Sequence, residues 1–335
     1  MSLLSLLNPS RAFLAMSAVL AGYCLIRFYA YTAGNMLVVP YLLAAGALLG
    51  MADSAWRNIF TAAAEHGDIH GDLPAGTVST TASFLVAMFT TLAGLMCAMT
   101  GGFNSFRAAG VAIILSLARS ALFRKVEVLS PLLKGLCLAM PLAIGMTAHP
   151  SFAEMLDTVE TRIPAAFFVF YMIVAAVLSQ VRDSAKPREA PSGEALASET
   201  ASRLLEMRDD AIDGMVAWFA GGALVLIPLV LAWIMPWHWL SWVILVLLAL
   251  TTLSRLAPVL VYRTRRDLGN FVEAAYRGGA WLNAGAVASM GDYRMREIYQ
   301  GWSVPVPGRD ELAAVLVIIA LAMPAWLLRR AAPTD

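Results

Sequence analysis

Nine stretches of about 20 mainly apolar residues recur along the chain, and each is long enough to cross the hydrocarbon core of a bilayer as a helix. They fall at roughly 12–31, 36–58, 82–101, 105–123, 129–148, 163–181, 214–235, 238–262 and 311–329. Inside lipid every backbone N–H and C=O must find a partner, and separate apolar stretches of this length meet that demand as helices. The expectation is therefore an all-α integral membrane bundle of about nine transmembrane helices, a single polytopic domain over residues 1–335. A tenth stretch, 268–290, carries Glu273, Arg277 and Asn283 among small residues. It reads either as a packed interior helix or as a partly inserted one. Glu273 and Arg277 stand four apart and can pair on one helix face, so a stabilising polar network is favoured there over catalysis.

Composition agrees with the spans. Of 335 residues 59% are apolar and 14% charged, with mean hydropathy +0.70, whereas soluble domains carry about a quarter charged residues. A net charge of +1 gives no basic face for phosphate backbones, which argues against nucleic acid as a partner. Cys24, Cys97 and Cys137 lie inside apolar stretches without metal-type spacing and read as small buried side chains. The opening MSLLSLLNPSRAF lacks a basic n-region, so the first span is expected to stay as an anchor.

Lys and Arg in short loops mark the cytoplasmic side. Arg11, Arg124, Lys125, Arg182, Lys186, Arg203, Arg263 and Arg266 fall on one side if the N-terminus is cytoplasmic, as expected for an inner or plasma membrane protein. The polar interval 182–212 begins VRDSAKPREAPSGEALASET and continues with leucine and charge at helical spacing, which predicts a flexible loop and then a short interfacial helix. LPAG at 73–76 and APSG at 190–193 form a faint echo, as expected of two four-helix quasi-repeats over about 12–123 and 129–262, followed by C-terminal helices in 268–329. Trp233, Trp237, His238, Trp239 and Trp242 on the opposite side read as an interfacial belt.

The residues that can carry chemistry cluster on the cytoplasmic side. Asn58 to Ser79 holds Glu65, His66, Asp68, His70 and Asp72. On a helix Asp68 and Asp72 would share a face and could grip one divalent ion. Gly67 and Gly71 argue for a loop instead, and alternating His and Asp also suits a transition metal such as Zn²⁺. The plain alternative is a solvated turn. Arg119, Arg124, Lys125 and Lys134 form a basic set that either receives phosphate oxygens or meets lipid headgroups. Arg119 is the most informative, since it falls a turn inside the bilayer, where a charge is costly and usually paired or functional. Arg182, Asp183 and Lys186 divide in the same way between a phosphate site and a membrane-edge charge group.

These stretches resemble the UbiA superfamily of membrane prenyltransferases, in particular its EboC-like branch. LNPSRAFLAMSAVLAGY looks like the family's first helix, LPAGTVS like its R-P-L-P-S-G-x-[IV]-S segment, and ALFRKVEVLSPLLKGLCLAMPLAIG like the run between its Tyr-Asp-Ala-x-x-Lys and Cys-Arg-Gly-Leu-Asn elements. The resemblance implies a helical bundle around a cavity open to lipid. In active members aspartates at the rim hold Mg²⁺ on a prenyl diphosphate, and a lipophilic acceptor takes the prenyl group. It carries Asn58, Arg119, Arg124, Arg182, Asp183 and Lys186 over as candidate substrate contacts and Asp68 and Asp72 as metal contacts. The motifs are degenerate. Counting from Asn58 in the Asn-x-x-x-Asp-x-x-x-Asp pattern, Ala62 and His66 stand where aspartates belong, and Leu138 and Pro141 replace an Arg and an Asn. Two expectations follow: prenyl transfer from a prenyl diphosphate to a lipophilic acceptor if active, or a catalytically inactive isoprenoid-binding scaffold of a membrane complex or pathway, holding a ligand such as a quinone or carotenoid.

Overall fold

Every apolar stretch is helical in the computed structural model, which describes residues 7–30, 35–66, 80–121, 126, 129–155, 158–184, 214–235, 239–262, 265–298 and 309–330. In chain order the helices are α1 (Pro9–Ala30), α2 (Val39–His66, entered through a 3₁₀ turn at Met36–Val38), α3 (Thr80–Met99), α4 (Phe103–Ala121) and α5 (Leu129–Thr147). A short α6 (Phe152–Met155) precedes α7 (Val159–Ser184), α8 (Gly214–Ile234), α9 (Trp239–Tyr262), α10 (Arg265–Ile298) and α11 (Arg309–Arg330). Seven of these segments have the length and hydropathy to cross a membrane, which makes this an integral membrane protein in contact with lipid. The helices α4, α10 and α11 fall outside that set.

For α10 the packing order explains why. Neighbours run α2–α3–α4–α5–α7–α8–α9–α10–α11–α1 and back to α2, while α1 also meets α5 and α10, and α10 also meets α7. Thus α1 and α10 sit at the centre. The sequence leaves α10 open between an interior and a partly inserted helix; its run Leu282–Met290 is buried throughout, which is the interior reading. A helix sheathed by protein rather than lipid needs small packing residues more than hydropathy, and α10 supplies Gly278, Gly279, Ala280, Ala284, Gly285 and Ala286.

Close backbone approach fixes the other central crossing. A Cβ at Gly22 of α1 would lie 2.1 Å from the Leu142 carbonyl oxygen, and one at Gly145 of α5 would lie 1.9 Å from that of Val19. Only glycine fits on both sides of this contact. The exposed apolar residues, among them Leu85, Phe89, Phe219 and Trp233, face outward as a lipid-embedded bundle requires, and Trp239 and Trp242 are also exposed.

Candidate functional site

The crossings of α1, α2, α4, α5, α7 and α10 leave a partly enclosed cavity with about 870 Å³ of empty space, its open mouth included. Most of its wall is apolar, with Leu14, Leu49, Ile113, Leu138, Phe168 and Met172 among the lining residues. Polar side chains enter it at a few points.

One is built around Asp53 of α2. Arg11 Nη1 from the first turn of α1 lies 2.6 Å from Asp53 Oδ2, and Ser116 Oγ from α4 donates to Asp53 Oδ1 at 2.6 Å. Arg119, one turn further along α4, places Nη1 3.9 Å from Asp53 Oδ1, and Arg57 also acts on the carboxylate electrostatically. Arg11 and Asp53 side chains are only 17% and 15% exposed. Such a charge leaves water only with close partners, and here one carboxylate ties three helices together. Trp56 of the same helix lines the cavity and donates from Nε1 to Thr91 Oγ1 at 3.0 Å.

The wall contributed by α10 carries Tyr276 and Asn283, seven residues apart and therefore on nearly the same face. Near Tyr276, buried Lys134 of α5 donates to Ser179 of α7, with Nζ 5.9 Å from the Tyr276 ring centre. The guanidiniums of Arg11, Arg119 and Arg182 all act electrostatically on Tyr276; of these, Arg11 lines the cavity together with Asp53. Asn283 lies two turns further along α10, only 2% exposed, and its Nδ2 has no hydrogen-bond partner.

The sequence-derived candidates divide accordingly. Arg119 is drawn to Asp53, and Arg182 reaches the same end from α7, its Cδ packing toward Gly269 of α10. Asn58 is half-buried on α2 beyond Asp53 and does not line the cavity. The helix runs on past the end of the apolar stretch at residue 58 to His66. Asp183 lies in the last turn of α7, its side chain outside the described residues, as are Asp68, Asp72, Arg124, Lys186 and the LPAG echo. Glu273 and Arg277 pair at 3.8 Å as expected, but Asn283 faces the cavity instead of joining them.

Asp53, Arg11 and Tyr276 had no place among the sequence candidates. Asp53 nevertheless left a signal, as the only acid in the apolar stretch 36–58, where an ionisable group is a functional candidate by default. Among the described residues no group of three or more His, Cys, Asp or Glu could hold a metal. Mg²⁺ needs oxygen ligands free to bind it; both Asp53 oxygens face cationic or hydroxyl donors, so this carboxylate does not fit that role as arranged.

Fold and cavity together define an integral membrane bundle with an internal amphipathic chamber. A solved structure of digeranylgeranylglyceryl phosphate synthase in membranes has the same fold, with TM-score 0.53 and 10% identity over 86% of this chain and 98% of that one. No protein-family model matches the chain, and no curated protein does.

Proposed function

We propose that this protein is a UbiA-like membrane prenyltransferase, passing a prenyl group from a prenyl diphosphate to a lipophilic acceptor. The observation that carries the reading is the amphipathic cavity: Arg11 and Asp53 line one end, Arg119 stands 3.9 Å from Asp53, and apolar residues line most of the rest. The fold shared with a membrane prenyltransferase supports it. In this reaction the C1–O bond of the donor breaks and diphosphate leaves with the electron pair. The acceptor's nucleophilic atom then bonds to C1 and releases a proton. Guanidiniums near the leaving oxygens would stabilise the charge that develops there, and the apolar wall would keep water from the allylic cation. In this reading Mg²⁺ would come through Asp68 and Asp72, the N-terminus faces the cytoplasm of an inner or plasma membrane, and α4 and α11 complete a bundle of nine spans, or ten with α10.

A second reading has its own observation. With Asp53 engaged by Arg11 and Ser116, the cavity can hold an isoprenoid without diphosphate chemistry, as an inactive scaffold within a membrane complex. The test is titration of the purified chain in detergent with geranylgeranyl diphosphate, with Mg²⁺ or with EDTA, alongside Arg11→Ala, Asp68→Ala and Asp72→Ala. Diphosphate binding that weakens in these variants, with pyrophosphate released once a lipid-soluble phenol or alcohol is added, supports transfer. Copurification of a quinone or carotenoid with no diphosphate binding overturns it in favour of the scaffold.

A further inference from the structure

The wall that α5 gives to the cavity contains an interrupted backbone ladder. Proline has no N–H, so inside a helix it leaves the carbonyl four residues earlier without its usual donor. Pro141 lies inside α5, and the carbonyl it leaves is that of Cys137. Both residues line the cavity, so the opened turn belongs to its wall, with Pro141 buried and Cys137 partly exposed. The prolines inside other helices, Pro164, Pro228, Pro258 and Pro324, do not line it.

Membrane helices tolerate proline where a neighbouring group takes over the freed carbonyl. The hydroxyls packed nearby are committed elsewhere. Ser17 Oγ donates to the Leu14 carbonyl at 2.8 Å, Ser105 Oγ to that of Ile144 at 3.1 Å, and Ser116 Oγ to Asp53. Among the described residues no N–H from another element donates to Cys137 either. Ser105 shows that a side chain of α4 can serve a carbonyl of α5, and the Cys137 carbonyl has no such partner. A carbonyl only accepts, so what meets it brings an O–H or N–H. Asp53, Arg119 and Arg11 all act electrostatically on Cys137, two cations to one anion, which disfavours a cationic donor. Ile113, Leu138 and Ile144 line the wall around it. A neutral hydroxyl on a lipophilic body fits.

We infer that the backbone carbonyl of Cys137, freed by Pro141, receives the hydroxyl of a lipophilic alcohol or phenol bound in the cavity. Pro141 is then a positioning residue, which keeps that carbonyl available. The inference rests on the prenyl-transfer reading and names the group that orients the acceptor. A hydroxyl donating to the carbonyl keeps a lone pair free for C1 of the prenyl donor. As the bond from C1 to the diphosphate oxygen breaks, the new C1–O bond forms at this hydroxyl oxygen, and its proton passes to the released diphosphate. The carbonyl holds the hydroxyl and takes up no proton.

The test uses the full chain in detergent and two probes, 4-decylphenol and its methyl ether 4-decylanisole, which has no O–H. Pro141→Ala and Pro141→Val both restore an N–H at 141 and return the Cys137 carbonyl to the helix ladder, one with a smaller side chain and one with a larger. One hydrogen bond corresponds to a five- to tenfold change in affinity, about 1–1.4 kcal/mol. By isothermal titration the wild type is expected to prefer the phenol to the ether five- to tenfold, and both variants to bind the two alike. No preference in the wild type overturns the inference, because the carbonyl then holds water only. A preference that survives in both variants overturns it too, since the hydroxyl then donates elsewhere, as to Asp53. A second measurement needs no variant. Cys137 lines the cavity, so occupancy should shield its thiol from N-ethylmaleimide, read by peptide mass spectrometry, and the phenol should protect it more than the ether at equal concentration. Equal protection overturns the inference. Geranylgeranyl diphosphate titrated into wild type and Pro141→Ala separates the two readings. Its failure to bind either sinks prenyl transfer while the phenol-to-ether ratio still decides the carbonyl's role. Unchanged diphosphate affinity in Pro141→Ala supports a role confined to the hydroxyl, and a fall as large as the phenol's shows a change of cavity shape and overturns it.

Discussion

Arg11 and Asp53 are 42 residues apart in sequence and 2.6 Å apart in space, and their ion pair closes the charged end of the chamber between α1 and α2. Removing one partner of a mostly buried pair leaves an uncompensated charge, whereas replacing both with apolar residues can be neutral. Asp53→Ala is therefore expected to lower stability by about 1–3 kcal/mol, since Arg11 and Arg119 would then face each other without a carboxylate. Arg11→Met combined with Asp53→Leu should recover most of that loss. Thermal unfolding of wild type, Arg11→Met, Asp53→Leu and the double variant in one detergent completes the double-mutant cycle, and additive losses would show that the pair is not coupled.

The helices were legible because a bilayer imposes a length and an apolar composition that composition alone can display. The place of α10 was not. Its Glu273 and Arg277 make it look poorly inserted, yet burial by protein on all sides removes the need for lipophilic side chains, and that is a property of the neighbours. Asp53 shows a different loss. Counting motif positions forward from Asn58 passed over the one acid in that stretch, although its cost in lipid marked it. Arg119 stood out for the same energetic reason, but its meeting with Asp53 across two helices is tertiary and has no local signature. Asn283 was visible as polar and was assigned to its neighbours on the same helix, whereas the helix turns it toward the chamber.

The α1–α5 crossing makes a sharp prediction about glycine. A Cβ at Gly145 would fall 1.9 Å from the Val19 oxygen and 2.9 Å from the Tyr23 nitrogen, all backbone atoms, so no rotamer change can relieve it. Gly145→Ala is expected to abolish folded protein, read as loss of the monodisperse peak on size-exclusion chromatography in detergent. Gly110 of α4 has nothing within 4 Å of a Cβ. Gly110→Ala should gain about 0.5–1 kcal/mol through helix propensity. If both variants behave alike, the crossing is not as close as described.

His149 lies beyond the end of α5, 1% exposed, beside the Tyr23 ring with centroids 5.6 Å apart. Burial first, and the charge of Arg27 second, hold its pKa below the ordinary histidine value. Its Nδ1 accepts the Ser151 N–H at 3.2 Å, which requires that nitrogen to be unprotonated. The unfolded chain binds the proton from about pH 6.5 downward and the folded one only at lower pH. Stability is therefore full above about pH 6.5 and declines as pH falls toward the folded value. Thermal midpoints measured from about pH 7.5 to about pH 5.5 should fall in wild type and fall less in His149→Phe, which keeps an aromatic ring against Tyr23. Parallel slopes would remove His149 from the effect.

Lys134 and Ser179 set the cost of a buried cation against the cost of removing one oxygen that it donates to. Lys134 is 8% exposed, donates to Ser179 from the next helix and stands 5.9 Å from the Tyr276 ring centre. Ser179→Ala leaves the ammonium in place without this oxygen, at a cost of about 1–3 kcal/mol. Lys134→Leu removes the charge and its desolvation penalty together and leaves only a hydroxyl to find another partner. Because a buried cation is expensive even when bonded, Lys134→Leu is expected to be less destabilising than Ser179→Ala, the reverse of the order that side-chain size would give. Denaturation midpoints in the same detergent decide it. A larger loss in Lys134→Leu would mean that the ammonium contributes net stability through the Tyr276 ring and its other contacts, and that the interior here is wetter than its exposure implies.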